Sequence, residues 1–361
     1  PIATTAINIA LSHGILKTAA ALLRKGADPN IASEPTGANA LMVACDFGRA
    51  AMVAPLLAAR SDPLARAAGP SCFTALMFAA RKGHVDCVNA LVSGEQATRA
   101  VMLNMLSGVE GGDGGGSRVT ALHIAAWYKK TACVLALVSA GADVNIRGTA
   151  MSTPLTVAAD TGDAPLVKAL IDAKADTNAK RTPDGSTALG IAAAAPHTEV
   201  VAVLIEGSCD INLANRAALT PLMQAAQKAH LEAVRLLLDA HAAIDLRTDP
   251  TGVTPHGWTA LDVARGAQVC GQANRRDAVV ALLEAATLAA SVSSSHADNV
   301  VVASRRGGGA ASSTDSGGGV DRPTCPSSAT TNGEGLESDS AISDQGAGAG
   351  PPSAASLSTG R

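Results

Sequence analysis

Residues 120–145 read TALHIAAWYKKTACVLALVSAGADVN and place His123, Cys133 and Asp143 close together, beside the adjacent aromatics Trp127 and Tyr128. A histidine here offers a metal ligand or a general base. The cysteines, Cys45, Cys87 and Cys133 among them, offer a reactive thiol. His84, His197 and His230 offer further ligands, and the glycine-rich run 111–116 resembles a loop that could hold phosphate. Whether any of these does chemistry depends on the elements that position them.

Those elements repeat. TALHIAAWYKK…GADVN is followed by TPLTVAADTG…KADTN (153–178), TALGIAAAAPH…CDIN (187–212) and TPLMQAAQKAHLEAVRLLLDAHAAID (220–245). Upstream lie TAINIALSHG…GADPN (5–30), NALMVACDFG…SDPL (39–64) and FTALMFAARKGHVDCVNALVSG (73–94), and a looser copy runs from WTALDVARG to RRDAVVALLEA (258–285). The matching leucine or isoleucine falls at 7, 41, 76, 122, 155, 189, 222 and 261, with steps of 33–35 residues except for one of 46 and one of 39.

One copy reads as two short helices. Thr120 is a helix N-cap, and Pro154 and Pro221 sit where a missing N–H costs nothing. Leu122, Ala125 and Ala126 give the first helix a face that a neighbour can approach closely. Gly14, Gly48, Gly83 and Gly162 end it, a second helix follows with aliphatics such as Val234, Leu236 and Leu237, and GAD-x-N closes the unit with turn residues. Such a pair cannot bury its apolar face alone, so neighbours must stack.

This pattern resembles the ankyrin-repeat family, whose T-P-L-H-x-A signature and period of about 33 residues it shares. The resemblance covers roughly 1–286, in seven clear copies and one degenerate one. It implies an all-α solenoid of stacked helix–turn–helix units with hairpin loops, and a protein-binding scaffold or adaptor role. Several departures stand out. Pro55 lies within a second helix, which predicts a kinked or shortened helix. Pro196 replaces the usual glycine. Residues 95–117, EQATRAVMLNMLSGVEGGDGGGS, interrupt the period: ATRAVMLNML predicts an extra helical turn or two, GVEGGDGGGS a mobile stretch, and the whole a division into blocks 1–94 and 118–286. The last copy carries extra residues around GAQVCGQANRR, as a terminal cap might.

With the register in place, most of the candidate chemistry becomes scaffold. The place of His123 is held by Asn8, Met77, Thr156, Gly190, Met223 and Asp262 in other copies, a variation that no catalytic requirement would tolerate. Its expected role is to tie the first helix to the neighbouring turn. His84, His197 and His230 share one inter-helix turn position in successive units, a repeat spacing apart and too far to share a metal. Run 111–116 lacks a following GK[S/T] and a preceding strand, so a linker is expected. Cys45, Cys87 and Cys133 fall on apolar helix faces and read as buried small hydrophobes. No catalytic, cofactor-binding or metal-ligating residue emerges.

The aromatics read differently. Trp127 and Tyr128 end the first helix beyond its buried face, and Phe47 takes the second of these places in its own copy. Arg81 and Lys82, Asp160 and Thr161, and Gln227 and Lys228 take them elsewhere. In the family these positions line the concave groove, and Phe73 and Trp258, just before their capping threonines, resemble its hairpin tips. Phe78 alone among the six aromatics maps to the core. The expected partner-binding set is Phe47, Phe73, Arg81, Lys82, Trp127, Tyr128, Asp160, Gln227, Lys228 and Trp258, with Trp127 and Tyr128 foremost.

Composition supports this reading. The 361-residue chain is 47% hydrophobic yet 2% aromatic, which suits thin layers of closely packed Ala, Leu and Val. Its 28 basic and 31 acidic residues give −3, without the basic excess usual in nucleic-acid binding. Seven cysteines without a CxxC pair, and no Asn-x-Ser/Thr acceptor, point to a reducing, intracellular compartment, the cytoplasm first and the nucleus second. No apolar run is long enough to span a membrane, so no membrane insertion is expected, nor a small-molecule substrate. The array is expected to be a monomer that binds an unidentified protein. From 287 a Ser/Gly/Ala-rich tail predicts disorder; residues 291–361 hold 16 Ser and 12 Gly, and with four basic and seven acidic residues they carry the whole net charge. The start at Pro1 rather than Met suggests a fragment or processed product. It motivates the alternative that the array regulates or targets a larger enzyme or channel.

Overall fold

The computed structural model describes residues 6–69, 71–94, 96–108, 118–182, 184–248, 257–266 and 273–306, with side chains up to 291. In chain order the helices are α1 (Ala6–Ser12) and α2 (Leu16–Arg24), α3 (Ala40–Asp46) and α4 (Ala50–Ala58), then α5 (Ala75–Lys82) and α6 (Val85–Val92). The insertion contributes α7 (Gln96–Asn104). There follow α8 (Ala121–Trp127) and α9 (Thr131–Ser139), α10 (Pro154–Thr161) and α11 (Ala164–Asp172), α12 (Ala188–Ala194) and α13 (Thr198–Glu206), α14 (Pro221–Gln227) and α15 (Leu231–Asp239), α16 (Ala260–Gly266) and α17 (Ala273–Arg306).

Each first helix starts at the residue that the sequence marks. Thr74, Thr120, Thr153, Thr187 and Thr220 accept the backbone N–H three residues on, and Asn39 does so in the second copy. Helices α1, α3, α5, α8, α10 and α14 end in a left-handed turn where the next residues must double back. At Gly162 (φ 74°) an added Cβ would lie 2.4 Å from the His197 ring, so glycine is required by both backbone and space. Pro196 cannot take this conformation; the chain instead leaves α12 through Ala195 in extended backbone (φ −108°, ψ 163°), as a following proline favours.

First helices pack in one row, α1, α3, α5, α8, α10, α12, α14 and α16, and second helices α2 through α15 in another. The buried leucines at the register positions, Leu41, Leu76, Leu122, Leu155, Leu189 and Leu222, run through the core between them. Cys45, Cys87 and Cys133 are fully buried there.

The insertion does not interrupt the rows: α5 packs on α8 and α6 on α9, as adjacent repeats do elsewhere. Helix α7 buries Met102 and Leu103. Its last residue also completes a ladder. The asparagine of each GAD-x-N turn accepts the backbone N–H at the equivalent turn of the next repeat, Asn30 from Asp62, Asn145 from Asp176, Asn178 from Asp210 and Asn212 from Ala243. The third copy lacks that turn, and Asn104 supplies the missing acceptor, 2.9 Å from Asp143 N. Replacing Asn104 with alanine is therefore expected to lower stability by about 1 kcal/mol, as Asn145→Ala should. A urea titration showing a loss for Asn145→Ala and none for Asn104→Ala would remove α7 from the stack.

One expectation is corrected. Pro55 does not shorten α4, which has the same nine residues as α9, α11, α13 and α15. Pro55 and Ala51, whose carbonyl loses its helical partner, both lie on the exposed side, where water replaces the missing hydrogen bond. Helix α17 continues to Arg306, into the first residues of the tail expected from 287. Residues 287–306 contain no glycine or proline, and the first break is the glycine run 307–309. The array is one compact unit over 1–290, and residues 291–361 form a second. From 307 on, the tail expected over 287–361 lies outside the described residues, as do the stretch 109–117 and the extra residues 267–272.

Candidate partner-binding face

Between the turns and the first helices run hairpins, each closed by backbone hydrogen bonds such as Gly148 N to Ser152 O (2.8 Å) and Arg181 N to Ser186 O (3.1 Å). Adjacent hairpins are also joined: Ala68 N donates to Thr36 O, Thr149 N to Arg118 O, Thr182 N to Ala150 O and Arg216 N to Asp184 O, at 2.7–2.9 Å. These hairpins and the last turns of the first helices make up the candidate face.

His123 belongs to the frame beneath it. Its Nε2 lies 2.9 Å from Ser152 O, and its Nδ1 lies 2.9 Å from the Thr120 hydroxyl. A carbonyl must accept, so Nε2 carries the proton and Nδ1 accepts. Burial holds its pKa at about 4, against the favourable pull of the Ser152 carbonyl. In the last copy Asp262 makes the same bridge to Thr259, and that hydrogen bond holds its carboxyl below the usual range. The inter-helix histidines do equivalent work between repeats: His84 reaches Asp46 O, His197 reaches Asp160 O and His230 reaches Ala193 O, at 3.0–3.2 Å. A hydrogen bond with Cys87, together with burial, pushes the Cys45 thiol up, and burial pushes Cys133 and Cys209 to about 11, which makes them poor nucleophiles. Among the described residues no group of three His, Cys, Asp or Glu side chains could hold a metal, and no helix is long and apolar enough to cross a membrane.

The expected partner-facing residues separate into two groups. Phe73 does not face outward. It is 7% exposed, meets the Phe78 ring edge-on at 5.8 Å and lies under the Arg81 guanidinium, which also sits 5.2 Å from the centre of the Phe78 ring. Arg81 in turn pairs with Asp46 at 3.0 Å, with only 12% of the Arg81 side chain exposed. This buried pair and its two rings clamp the second and third copies together. Phe78, assigned to the core, is half-buried and packs against it. Phe47 and Trp127 are also half-buried and pack against the core with one edge.

Lys82, Tyr128, Asp160, Gln227, Lys228 and Trp258 are exposed. Tyr128 is 36% and Trp258 40% exposed, large values for aromatic rings, and Trp258 rests on Gly266. Asp160 has Arg181 of the next hairpin 4.0 Å away. The sequence reading passed over Met151, 43% exposed on a hairpin whose Ala150 and Met151 both have positive φ. Nothing in the sequence of that loop flags such a conformation for non-glycine residues.

A family model described as ankyrin repeats matches residues 64–148, 122–215, 155–249 and 208–287. A search of curated proteins finds no match. Among solved structures, the chain is similar to the ankyrin repeat domain of Bcl-3, described as a unique member of the IkappaB protein family. The two share 23% identity and a TM-score of 0.54, over 66% of this chain and 100% of that one. As many as 548 solved chains match, which marks a widely used fold and not a particular activity.

Proposed function

The chain belongs to the ankyrin-repeat family, and from that premise we propose that it is a non-enzymatic scaffold or adaptor that binds a partner protein along the face formed by its hairpins and the ends of its first helices. The observation that carries this reading is the exposure of large rings there. A chain with six aromatics leaves Tyr128 and Trp258 more than a third exposed, with Trp127 half-buried beside Tyr128. A ring already fixed by packing on one side loses little entropy on binding, which is why aromatics dominate interface energetics. Lys82, Asp160, Gln227 and Lys228 supply polar contacts along the same row, and Phe47 a further half-buried edge. The scattered spacing of the seven cysteines supports a reducing intracellular compartment, the cytoplasm or the nucleus.

Mutation of both Trp127 and Tyr128 to alanine is expected to weaken partner binding by about 2 kcal/mol or more. The check is affinity capture from cells that express the protein, with wild type and variant side by side. Proteins lost only from the variant support the reading; the same set, at the same yield, from both would refute the assigned face.

A further inference from the structure

The first repeat presents to solvent the face by which later repeats pack on their predecessors. Ile9 is 46% exposed, whereas Val43, Ile124, Val157 and Ile191, at the same place in later copies, are 4–7% exposed. Leu22 is half-buried where Leu56, Leu91, Leu137, Leu170, Leu204 and Leu237 are buried. Ile15 is 52% exposed, and Thr18 is exposed where Met52, Cys87, Leu166 and Val200 are buried. The charged side chains of α2 lie elsewhere: Lys17 and Arg24 stand at places that are exposed in copies two to seven as well. A repeat that ends a stack needs a polar outer face, and this one carries the aliphatics of an internal repeat.

Two further details specify what belongs on that face. The residue at the place of Ile15 lies over the turn glycine of the preceding repeat: Arg49 over Gly14, His84 over Gly48, Lys130 over Gly83 and His197 over Gly162, each so close that a Cβ on the glycine would collide with it. Lys130 makes this contact through its methylene stem, which the side chain of Ile15 matches. The second detail is the turn ladder. Asp62, Asp176 and Asp210 donate their backbone N–H to an asparagine of the preceding turn, at 2.7–2.8 Å. The Asp28 N–H stands at the same place, and among the described residues nothing accepts it.

We propose that this end of the array is the docking face for one more repeat of the same kind, carried by polypeptide ahead of Pro1. That repeat has a glycine at its inter-helix turn, beneath Ile15, and an asparagine in its closing turn for the Asp28 N–H. The inference continues the repeat-to-repeat interface past α1 and α2, and it stands apart from the partner-binding reading above. A lone helix pair cannot bury its own apolar face, so the added repeat is held here by covalent continuity. A second copy of the chain fits less well. Its Gly14 already lies under Arg49 and its Asn30 already accepts from Asp62, while at its far end α17 runs on where a closing turn would stand.

The test has two arms. In the first, the native protein is isolated from cells that express it with an antibody to residues 1–290, and its N-terminal peptides are mapped by mass spectrometry. A further copy ahead of Thr5, with glycine and asparagine at those two places, is the expected result. A native start fewer than about 30 residues ahead of Thr5, too few for one repeat, or a longer one without such a copy would overturn the proposal. The second arm measures amide hydrogen exchange. In the 361-residue chain the Asp28 amide should exchange about tenfold faster than those of Asp62, Asp176 and Asp210. Residues 153–186, the copy that holds Gly162 and Asn178, joined ahead of Thr5 should slow it about tenfold, and the same fusion with Asn178→Ala in the added copy should not. Ile9→Ser should lower the thermal midpoint of the fusion more than that of the chain itself. An Asp28 amide already protected in the chain would show an end that a second copy covers, and would overturn the proposal. So would a fusion that leaves that amide, and the cost of Ile9→Ser, unchanged.

Discussion

Phe73→Ala is expected to lower the unfolding free energy by about 3–4 kcal/mol, the range for emptying a buried phenylalanine site. The ring is 7% exposed, and its removal takes away the edge contact to Phe78 and one of the two faces against which the Arg81 guanidinium is held. Arg81 would then keep its carboxylate partner, Asp46, without the packing that fixes their geometry. Tyr128→Ala is the matched control, because that ring is 36% exposed and should cost less than about 1 kcal/mol. Urea titrations of both variants check the contrast. Equal losses, or a Phe73 variant that loses partner binding while keeping its stability, would return Phe73 to the binding face.

Acid should unfold the array partly through His123. Free histidine protonates near pH 6.5, while burial holds this ring neutral down to about 4. Its Nδ1 is already an acceptor from Thr120, so a second ring proton would also point at a donor. Between those two values the unfolded chain binds a proton that the native chain refuses. The stability contributed by the neutral ring is therefore complete above about pH 6.5 and is lost as the pH falls toward 4. The full loss is about 3 kcal/mol, and most of it should be visible at pH 4.5. His123→Thr supplies the control, since Thr156 closes the same capping box in the fifth copy without a titrating group. Wild type should lose about 2–3 kcal/mol more than this variant between pH 7 and 4.5; identical pH profiles would show that the ring titrates normally.

The parts of this fold that were legible in the sequence are those fixed within one copy. The capping threonines, the register leucines and the turn glycines depend on residues a few positions apart, so one period suffices to read them; the tie from His123 to Ser152 O, in the next hairpin, was legible only through the family resemblance. What was not legible depends on a neighbour. The inward turn of Phe73 follows from Asp46, one repeat earlier, drawing Arg81 across the ring. Asn104 gains its role only because the third copy lacks its own turn asparagine. Pro55 is tolerated because the affected carbonyl happens to face water. Of the candidate face, the row of variable positions was readable from the register, but which rings stand clear of the core was not.

The central claim is that the partner meets the hairpin and first-helix face. It is tested most directly by placing a photo-crosslinking phenylalanine analogue at position 128, or at position 135 on α9, where Leu135 is 51% exposed. After irradiation in an extract of the cells that express the protein, a discrete adduct from position 128 and none from 135 is the predicted result. An adduct from 135 alone would contradict the account and move binding to the second helices.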